Sequence, residues 1–545
     1  MKKIYLISAL VAVLAPATAA QNLNPQVQVT NVYESEAPDV RKQDLPVSVP
    51  DSIMHFDYVF DYSVFDSPYR GAYEFNPYEI RMVPEKIAQT PGVFSMKAGA
   101  GYTVHPVLDA VWTPVAKSGL QWEVRQNLGG YTGSYWQPAD DLGLFEEKYS
   151  GYDLEEKISV GGRLPLSGSI LTFEALYDGI FTSDFIQDTD YHSALVRARL
   201  KSTALYTGSF VYDVNFSGRY GCDNVPHAFG PLAAQETDFR LYGSLGTMLN
   251  TVDRLLVDYE IRYDRMYGSF DGSVINDVTL APHIILQYDS FDFDLGFRMD
   301  YISKVTLHPQ VRVNWAAVKD VLNVYAGVKG AQNVLTYGSL KQYDHYFNPA
   351  YNEDFQSVEN EKLNVYLGLR GFRGPHFNYS FEAGWASYSG SPFETVSLDS
   401  RSGLRPGIGY FDYSVLFADL GAGWKSERFE ADASLKLRKT SLTETDAAAN
   451  LPLVSAAARA RYNWLKRLYL GIGCEIATER RFTVIGGSAV SIPFTADLSA
   501  SCRYEFNSKW GVWLRGGNLL NQFIYTTPLH VEQGINFTAG ICLSL

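Results

Sequence analysis

Apolar and polar residues alternate with a period of two through most of the chain from about residue 93 onward. In the segment 291–301, Phe, Leu, Met and Tyr fill the odd positions, whereas Asp, Gly and Arg fill the even ones. The same alternation returns in 255–264, 429–438 and 494–502. Such a pattern predicts β-strands that have one apolar face and one polar face.

The alternating segments are long for strands. They run for about 9 to 14 residues, whereas strands of globular proteins have a mode of about 5–6. A strand that crosses a membrane needs about 9–11 residues. A soluble β-sandwich also alternates, but it uses shorter strands and buries its apolar face against a second sheet. The length therefore favours strands that cross a membrane.

The connections between these segments alternate in length as well. Tight turns such as 165–168 and 425–428 follow every second strand, and long loops such as 129–148 and 389–408 follow most of the others. Short periplasmic turns and long extracellular loops are typical of outer-membrane barrels. The predicted fold is all-β: a transmembrane antiparallel β-barrel of about 22 strands, or 18–20 if weak pairs merge.

The first 20 residues have the features of a secretory signal peptide. Lys2 and Lys3 precede a short apolar run, which ends in small residues before Gln21. The run is too short to span a bilayer as a helix. We therefore expect a signal peptide at 1–20, an extended periplasmic or lumenal segment at 21–91, and the barrel at 92–545.

The chain ends inside an alternating segment, 534–545, and its last residue is apolar. A closed barrel must pair its last strand with its first, because lipid tolerates no unpaired strand edge. We expect the barrel-assembly machinery to recognise this final strand, although Leu545 stands where an aromatic residue is usual.

Composition excludes several classes. Charged residues make up 19% of the chain and the mean hydropathy is −0.13, which is too polar for a helical membrane protein. A net charge of −14 argues against nucleic acid as a partner. The four Cys match neither a disulfide framework nor a zinc site, so no cofactor or metal is predicted.

No catalytic motif is evident. The nine His do not combine with Ser and Asp into a recognisable triad, and there is no H-E-x-x-H, P-loop or G-x-S-x-G motif. We therefore predict that the chain is not an enzyme, with an outer-membrane phospholipase or protease as the enzymatic alternative.

The polar face of each strand should line the lumen. Mixed charges there either tune ion selectivity and bind polar solutes, or only hydrate the wall and pair across strands. The candidate lumen-lining residues are Arg125, Arg197, Arg199, Arg240, Asp258, Glu260, Arg262, Asp292, Asp294, Arg298, Asp300, Arg312, Arg370, Glu382, Arg438, Arg459, Arg461, Arg503 and Arg515.

The loop 331–359 is rich in aromatic residues. These side chains either stack on sugars or fold inward as a constriction, and the alternative is an interfacial girdle. The candidates are Tyr337, Tyr343, Tyr346, Phe347 and Tyr351.

The last 35 or so residues resemble the C-terminus of TonB-dependent receptors. In that family a strand runs into an Asn-Leu-hydrophobic turn with a nearby Tyr, and a Pro and a Gly lead into the closing strand. The residues that match are Asn518, Leu519, Leu520, Tyr525, Pro528 and Gly534. The resemblance implies a 22-stranded outer-membrane barrel, and segment 24–47 is similar to one in short, plugless barrels of the Bacteroidota.

The chain departs from that family in one important respect. Segment 21–91 is too short to form the folded domain that plugs the lumen of family members, and we interpret 27–33 as an extended segment rather than a TonB box. An empty barrel of this size would leak. We therefore expect either residues 55–91 or the loop 331–359 to fill the opening.

The predicted function is the passage or import of solutes across the outer membrane. The alternative is a barrel that does not transport and instead serves as a scaffold in an outer-membrane complex. The expected partners are outer-membrane lipid, the assembly machinery and a periplasmic or surface lipoprotein.

Overall fold

We used a computed structural model of the chain, which describes residues 93–545 with short gaps. The predicted signal peptide and the segment 21–91 lie outside the described residues. The gaps are 103, 115–119, 139–144, 184–187, 204–205, 225–233, 268–273, 348–357, 400–402, 444–448, 465, 486–488 and 532–533.

Twenty-two strands form one closed antiparallel barrel, which confirms the predicted fold. Each strand pairs with its neighbours in the chain, and the last strand pairs with the first. At this seam the N–H of Phe94 donates to the carbonyl oxygen of Leu545 at 3.1 Å, and the N–H of Leu545 donates back at 2.7 Å. The last strand thus closes the barrel against the first.

In chain order the barrel strands are β1 (Phe94–Tyr102), β2 (Val107–Trp112), β3 (Gln121–Pro138), β4 (Phe145–Leu166), β5 (Ser169–Ser183), β6 (Asp188–Ser202), β7 (Phe210–Asp223), β8 (Gln235–Met248), β9 (Arg254–Tyr267), β10 (Val274–Tyr288), β11 (Phe291–Tyr301), β12 (Val305–Val318), β13 (Leu322–Val334), β14 (Val358–Arg373), β15 (Phe377–Asp399), β16 (Gly403–Lys425), β17 (Phe429–Leu442), β18 (Val454–Trp464), β19 (Leu468–Ala477), β22 (Thr495–Glu505), β23 (Trp510–Gly517) and β26 (Asn536–Ser544). Four short strands lie outside the barrel wall: β20 (Arg480–Ile485), β21 (Val490–Ile492), β24 (Tyr525–Thr527) and β25 (His530–Val531).

The two faces of the wall differ as the alternation predicts. On β9, Leu255, Val257 and Ile261 are exposed on the outer face, whereas Asp258 and Glu260 are buried on the inner face. Large exposed apolar side chains recur on the outer face all around the barrel, and such a surface is stable in lipid rather than in water. Within the described residues, no helix is long and apolar enough to cross a membrane.

A girdle of tryptophans marks one edge of the apolar surface. Trp112, Trp315, Trp424, Trp464 and Trp510 all lie where strands meet the short turns, and each is 43–53% exposed. Trp and Tyr favour the boundary between hydrocarbon and water, where an apolar ring and a polar N–H are both accommodated. The girdle therefore places the short turns at a membrane interface.

The short turns are tight enough to need left-handed backbone conformations. Gly168 has φ of 81°, and Asp289 and Asp320 have φ of 53° and 59°. Glycine and aspartate tolerate this region better than most residues. The turns therefore reverse the chain within a few residues.

Strands β15 and β16 extend well beyond their barrel neighbours, so residues 389–408 are not the loop that the sequence suggested. The loop expected at 129–148 is wrong for the same reason, because β3 and β4 cover most of it. Their distal part pairs with β20, and β20 pairs with β21. These segments and the β24–β25 hairpin form what we call the outer cap. Its apolar core consists of Val396, Phe482, Val484, Ile492 and Leu529.

The segment after β13 folds into a short helix, α1 (Tyr337–Tyr343). Thr336 caps its N-terminus: its hydroxyl accepts the N–H of Ser339, while the Ser339 hydroxyl accepts the N–H of Thr336. This reciprocal arrangement satisfies two of the helix-end donors. We call residues 335–347 the inner loop.

Candidate functional site in the barrel lumen

The inner loop lies against the lumen face of the wall. Just before it, the N–H of Gln332 donates to Asp300 on β11 at 3.3 Å. Arg219 on β7 then donates to the hydroxyl of Thr336 at 2.6 Å. Since β7 and β13 are six strands apart around the barrel, the loop follows the inner wall rather than projecting outward.

Glu236 on β8 holds the start of α1. Its carboxylate accepts the backbone N–H groups of Tyr337 and Gly338, the latter at 3.1 Å, and an Arg219 N–H at 3.1 Å. Glu236 is fully buried. A buried carboxylate is stable only when paired and hydrogen-bonded, and here the guanidinium and the helix N–H groups provide both.

A small apolar core packs around the same helix. The buried side chains of Tyr337, Leu340 and Phe347 contact Ile180 of β5 and Ile408 of β16. The Tyr337 hydroxyl also donates to Asp223 of β7. Burial of three large side chains stabilises the loop by about 1.5–3 kcal/mol each. The inner loop is therefore firmly attached to the wall.

The far end of the loop contacts further strands. The Gln342 amide donates to Asp178 of β5 at 2.8 Å, and His345 contacts Asp153 of β4 at 2.8 Å. Burial alone would lower the pKa of His345, but the hydrogen bond and charge of Asp153 raise it. An ion pair between the two side chains therefore fixes this end.

The inner loop also contacts the outer cap. The ring of Tyr346 stacks on His530 of β25, with the ring centroids 3.4 Å apart. In the cap itself, Glu394 on the distal part of β15 accepts a hydrogen bond from Asn450. Burial, together with the charge of Asp344, raises the pKa of Glu394 to about 8. The inner loop and the outer cap are thus in contact through Tyr346 and His530.

All candidate lumen-lining residues lie on the inner face, opposite the exposed apolar side chains, but their exposure differs. Asp258, Glu260, Arg298, Asp300 and Arg312 are buried; Arg199, Arg240, Arg262, Asp292, Asp294, Arg370, Glu382 and Arg438 are half-buried; Arg125, Arg197, Arg459, Arg461, Arg503 and Arg515 are exposed.

Most of these charges pair across neighbouring strands. Arg262 donates to Asp238 at 2.7 Å, and Arg438 lies 2.6 Å from Asp419. On the exposed part of the wall, Arg459 lies 2.7 Å from Glu475. An exposed ion pair stabilises a protein by about 0–1 kcal/mol. A solute can therefore replace one partner of such a pair at little cost in free energy.

Of the aromatic candidates, Tyr337, Tyr346 and Phe347 are buried in the lumen contacts described above, and Tyr343 is 48% exposed. Tyr351 lies outside the described residues. The structure places these three buried side chains inside the barrel, against its wall and the outer cap.

Sequence reasoning missed the residues that hold the loop, namely Glu236, Asp223 and Asp153 of the wall and His530 of the outer cap. They occupy ordinary positions in an alternating pattern, so only the position of the loop distinguishes them. Gly338 carries a weak signal: a Cβ there would lie 2.5 Å from Arg219 Nη1 and 2.6 Å from the Tyr191 hydroxyl, so the close approach needs glycine.

Among the described residues, no group of His, Cys, Asp and Glu is arranged to hold a metal ion. The four cysteines are free thiols. The chemistry that the described lumen offers is therefore hydrogen bonding and charge.

No protein-family model matches the sequence, and no curated protein matches it. Solved structures do match its fold. A ferric enterobactin receptor (PfeA) variant from Pseudomonas aeruginosa is similar over 83% of this chain and 80% of its own, with a TM-score of 0.62 and 10% identity. The FrpB iron transporter from Neisseria meningitidis is similar over 84% of this chain and 81% of its own, with a TM-score of 0.64 and 11% identity. The copper transporter OprC is similar over 83% of this chain and 80% of its own, with a TM-score of 0.59 and 13% identity.

These neighbours are transporters and receptors rather than enzymes. Each of these similarities covers more than four-fifths of this chain. The chain therefore has the fold of a multi-pass outer-membrane barrel that is similar to TonB-dependent receptors.

Proposed function

We propose that this barrel passes or imports solutes across the outer membrane. The observation that carries the proposal is the wall of the lumen from β17 to β23, which presents exposed charged side chains such as Arg459, Arg461 and Arg503 to the interior. A wall built only to support a partner has no need of a hydrated polar interior, whereas a channel does. The transport functions in the names of similar structures support the same proposal.

The test is conductance of the purified full-length protein in planar bilayers, together with swelling of liposomes in isotonic solutions of small sugars. We expect discrete conductance steps and solute-dependent swelling. A folded barrel that yields neither would contradict the proposal.

A non-transporting scaffold is the second candidate, and a specific observation favours it. The inner loop and the outer cap meet at the outer mouth through Tyr346 and His530, so the entrance is narrower than the wall alone would make it. Copurification from native membranes separates the two proposals: a scaffold should retain a stoichiometric periplasmic or surface lipoprotein and show no conductance.

We also propose that residues 21–91 act as a small lumenal filler. β1 begins at the end of the barrel that carries the short turns, beside the last residue of the chain. This position of Phe94, close to the start of the described chain, supports the proposal.

A further inference from the structure

Two parts of the lumen wall differ in exposure. On β9 to β12 many inward side chains are buried, and Asp258, Thr279, Arg298 and Asp300 are 0–4% exposed. We call these four strands the buried arc. On β17, β18, β19, β22 and β23 most inward charged side chains are open to water, and we call these strands the exposed arc.

The inner loop and the residue Gln332 before it lie on one side of the lumen. Gln332 bonds to Arg298 and Asp300 on β11, and Met266 of β9 belongs to the apolar core around α1. The hydrogen bonds of the loop to the wall reach β4, β5, β7 and β8. In the exposed arc the side chains of Arg459 and Arg461 are 66% and 62% exposed, so water and dissolved solutes have access to them.

One row across the exposed arc has a distinctive composition. The strand register places Arg461 opposite Gly471, Gly471 opposite Ser501, and Ser501 opposite Arg515. We call these four residues the arginine row. Its ends are three strand spacings apart, or about 14 Å, and the two residues between them are small.

The middle of the row is a shallow floor. A Cβ added at Gly471 would lie 2.5 Å from the Ser501 hydroxyl. Position 471 therefore has no room for a side chain, and the surface between the two arginines is formed by a glycine and a serine. Arg515 lies at one end of this floor, and Arg461, which pairs with Glu430 on the side away from the floor, lies at the other. The result is an open trough between two arginines, with a hydroxyl at its base.

The charges of the row are not fully compensated. Arg461 pairs with Glu430, which lies on β17, away from the floor. On the other side, Asp497 accepts the N–H of Asn518 at 3.0 Å. Within the described part of the chain, Arg515 is exposed and has no ion-pair partner. Arg515 therefore presents its guanidinium to the trough without an ion pair.

We propose that solutes move along the exposed arc and that the arginine row is a weak binding site for the oxyanion group, a carboxylate or a phosphate, of a hydrophilic solute. The proposal rests on the proposed function, which it deepens by naming a path and a solute class. Guanidinium groups bind such oxyanions with charge-assisted, often bidentate hydrogen bonds. Because the site is open and hydrated, binding is weak enough to allow release, as passage requires.

The path is tested by thiol accessibility in a background that lacks the four native cysteines. Ser501→Cys, in the exposed arc, should react with a membrane-impermeant methanethiosulfonate at least about tenfold faster than Thr279→Cys, in the buried arc, which reacts only after local opening. Heat-modifiable migration on gels checks that both variants form barrels. Equal rates in two folded variants would overturn the path.

The oxyanion site is tested with inorganic phosphate as the probe, in the same labelling assay. Phosphate should slow labelling of Ser501→Cys by up to about fivefold, as expected for one exposed charge contact. Arg515→Gln should abolish this protection and Arg515→Lys should retain part of it. The matched control is Lys509→Gln, which removes the same charge in the turn before β23, outside the lumen, and should leave protection intact.

The outcomes separate this inference from the proposed function. If the parent protein conducts ions but phosphate gives no protection that depends on Arg515, the site is wrong and the channel stands. If phosphate protects and Arg515→Gln removes that protection, but no conductance or swelling is seen, the site stands and transport is wrong. If Lys509→Gln also removes the protection by phosphate, the protection depends on the general charge of the protein rather than on Arg515, and the proposed site is wrong.

Discussion

The attachment of the inner loop depends on Glu236, and the substitution Glu236→Ala tests this. The change removes the carboxylate that accepts hydrogen bonds from Arg219 and from the backbone N–H groups of Tyr337 and Gly338. The side chain of Arg219 is only 16% exposed. Removing one partner of a buried ion pair costs about 3–5 kcal/mol. Because the lumen admits some water at Arg219, we take the lower end of this range.

A suitable assay is labelling of Leu340→Cys with a thiol reagent in the cysteine-free background. Leu340 is 1% exposed, so a cysteine there reacts only when the loop leaves the wall. A loss of about 3 kcal/mol should raise the labelling rate about 100-fold, since 1.36 kcal/mol corresponds to a factor of ten. The substitution at 340 is common to all variants and therefore cancels in the ratio.

The matched control is Glu174→Ala on β5. Glu174 also faces the lumen and pairs with an arginine, Arg197, but at 3.5 Å and with both side chains exposed. Loss of an exposed pair costs about 0–1 kcal/mol, so labelling should rise by no more than about fivefold. If Glu236→Ala also stayed within this range while the barrel folded normally, Glu236 would not be what holds the loop.

Four further predictions concern the wall, the topology, the N-terminal segment and the cap. Leu435→Arg puts a charge on the lipid face and should lower barrel stability by about 2–4 kcal/mol near the midplane, whereas Lys436→Leu on the inner face should be nearly silent in the same urea-unfolding assay; equal losses would mean that the faces are assigned wrongly. An epitope inserted at 400–402 should bind antibody on intact cells, and one in the turn between β4 and β5 should not; the reverse result would invert the barrel. Deleting 24–85 should raise single-channel conductance, and unchanged conductance in a folded barrel would shift the role of filler to the inner loop. Because burial raises the pKa of Glu394 to about 8, its folded state binds a proton that the unfolded state releases, so protease resistance of the cap should fall as pH rises from about 4.5 through 8; Glu394→Gln should remove this pH dependence, and a dependence that persists would contradict the assignment.

The wall could be predicted from the sequence because lipid on one side and water on the other impose a strict period of two. Each turn and nearly every strand of the barrel followed from that constraint. The capping pair Thr336 and Ser339 is a local signal for α1, but nothing local gives its position. The contacts that place it join residues far apart in sequence, 101 positions for Tyr337 and Glu236 and 192 for His345 and Asp153.

The outer cap escaped prediction for a related reason. The distal parts of β15 and β16 pair and pack outside the membrane, so no lipid imposes alternation on them, and the sequence there resembles a loop. Their partners Val484 and Leu529 are supplied by connections that follow much later in the chain. Period and turn signals describe neighbours in sequence, and they do not describe such packing.

The order in which the cap receives its parts has a consequence for biogenesis. Val396 comes from β15, Phe482 and Ile492 from the connection after β19, and Leu529 from the hairpin just before the final strand. The mouth therefore cannot be completed until almost the whole chain has been synthesised and inserted. An assembling barrel passes through an uncovered stage, and we expect defects in its last hairpin to give leaky barrels rather than missing ones, so that a fault at the end of assembly weakens the barrier of the entire membrane.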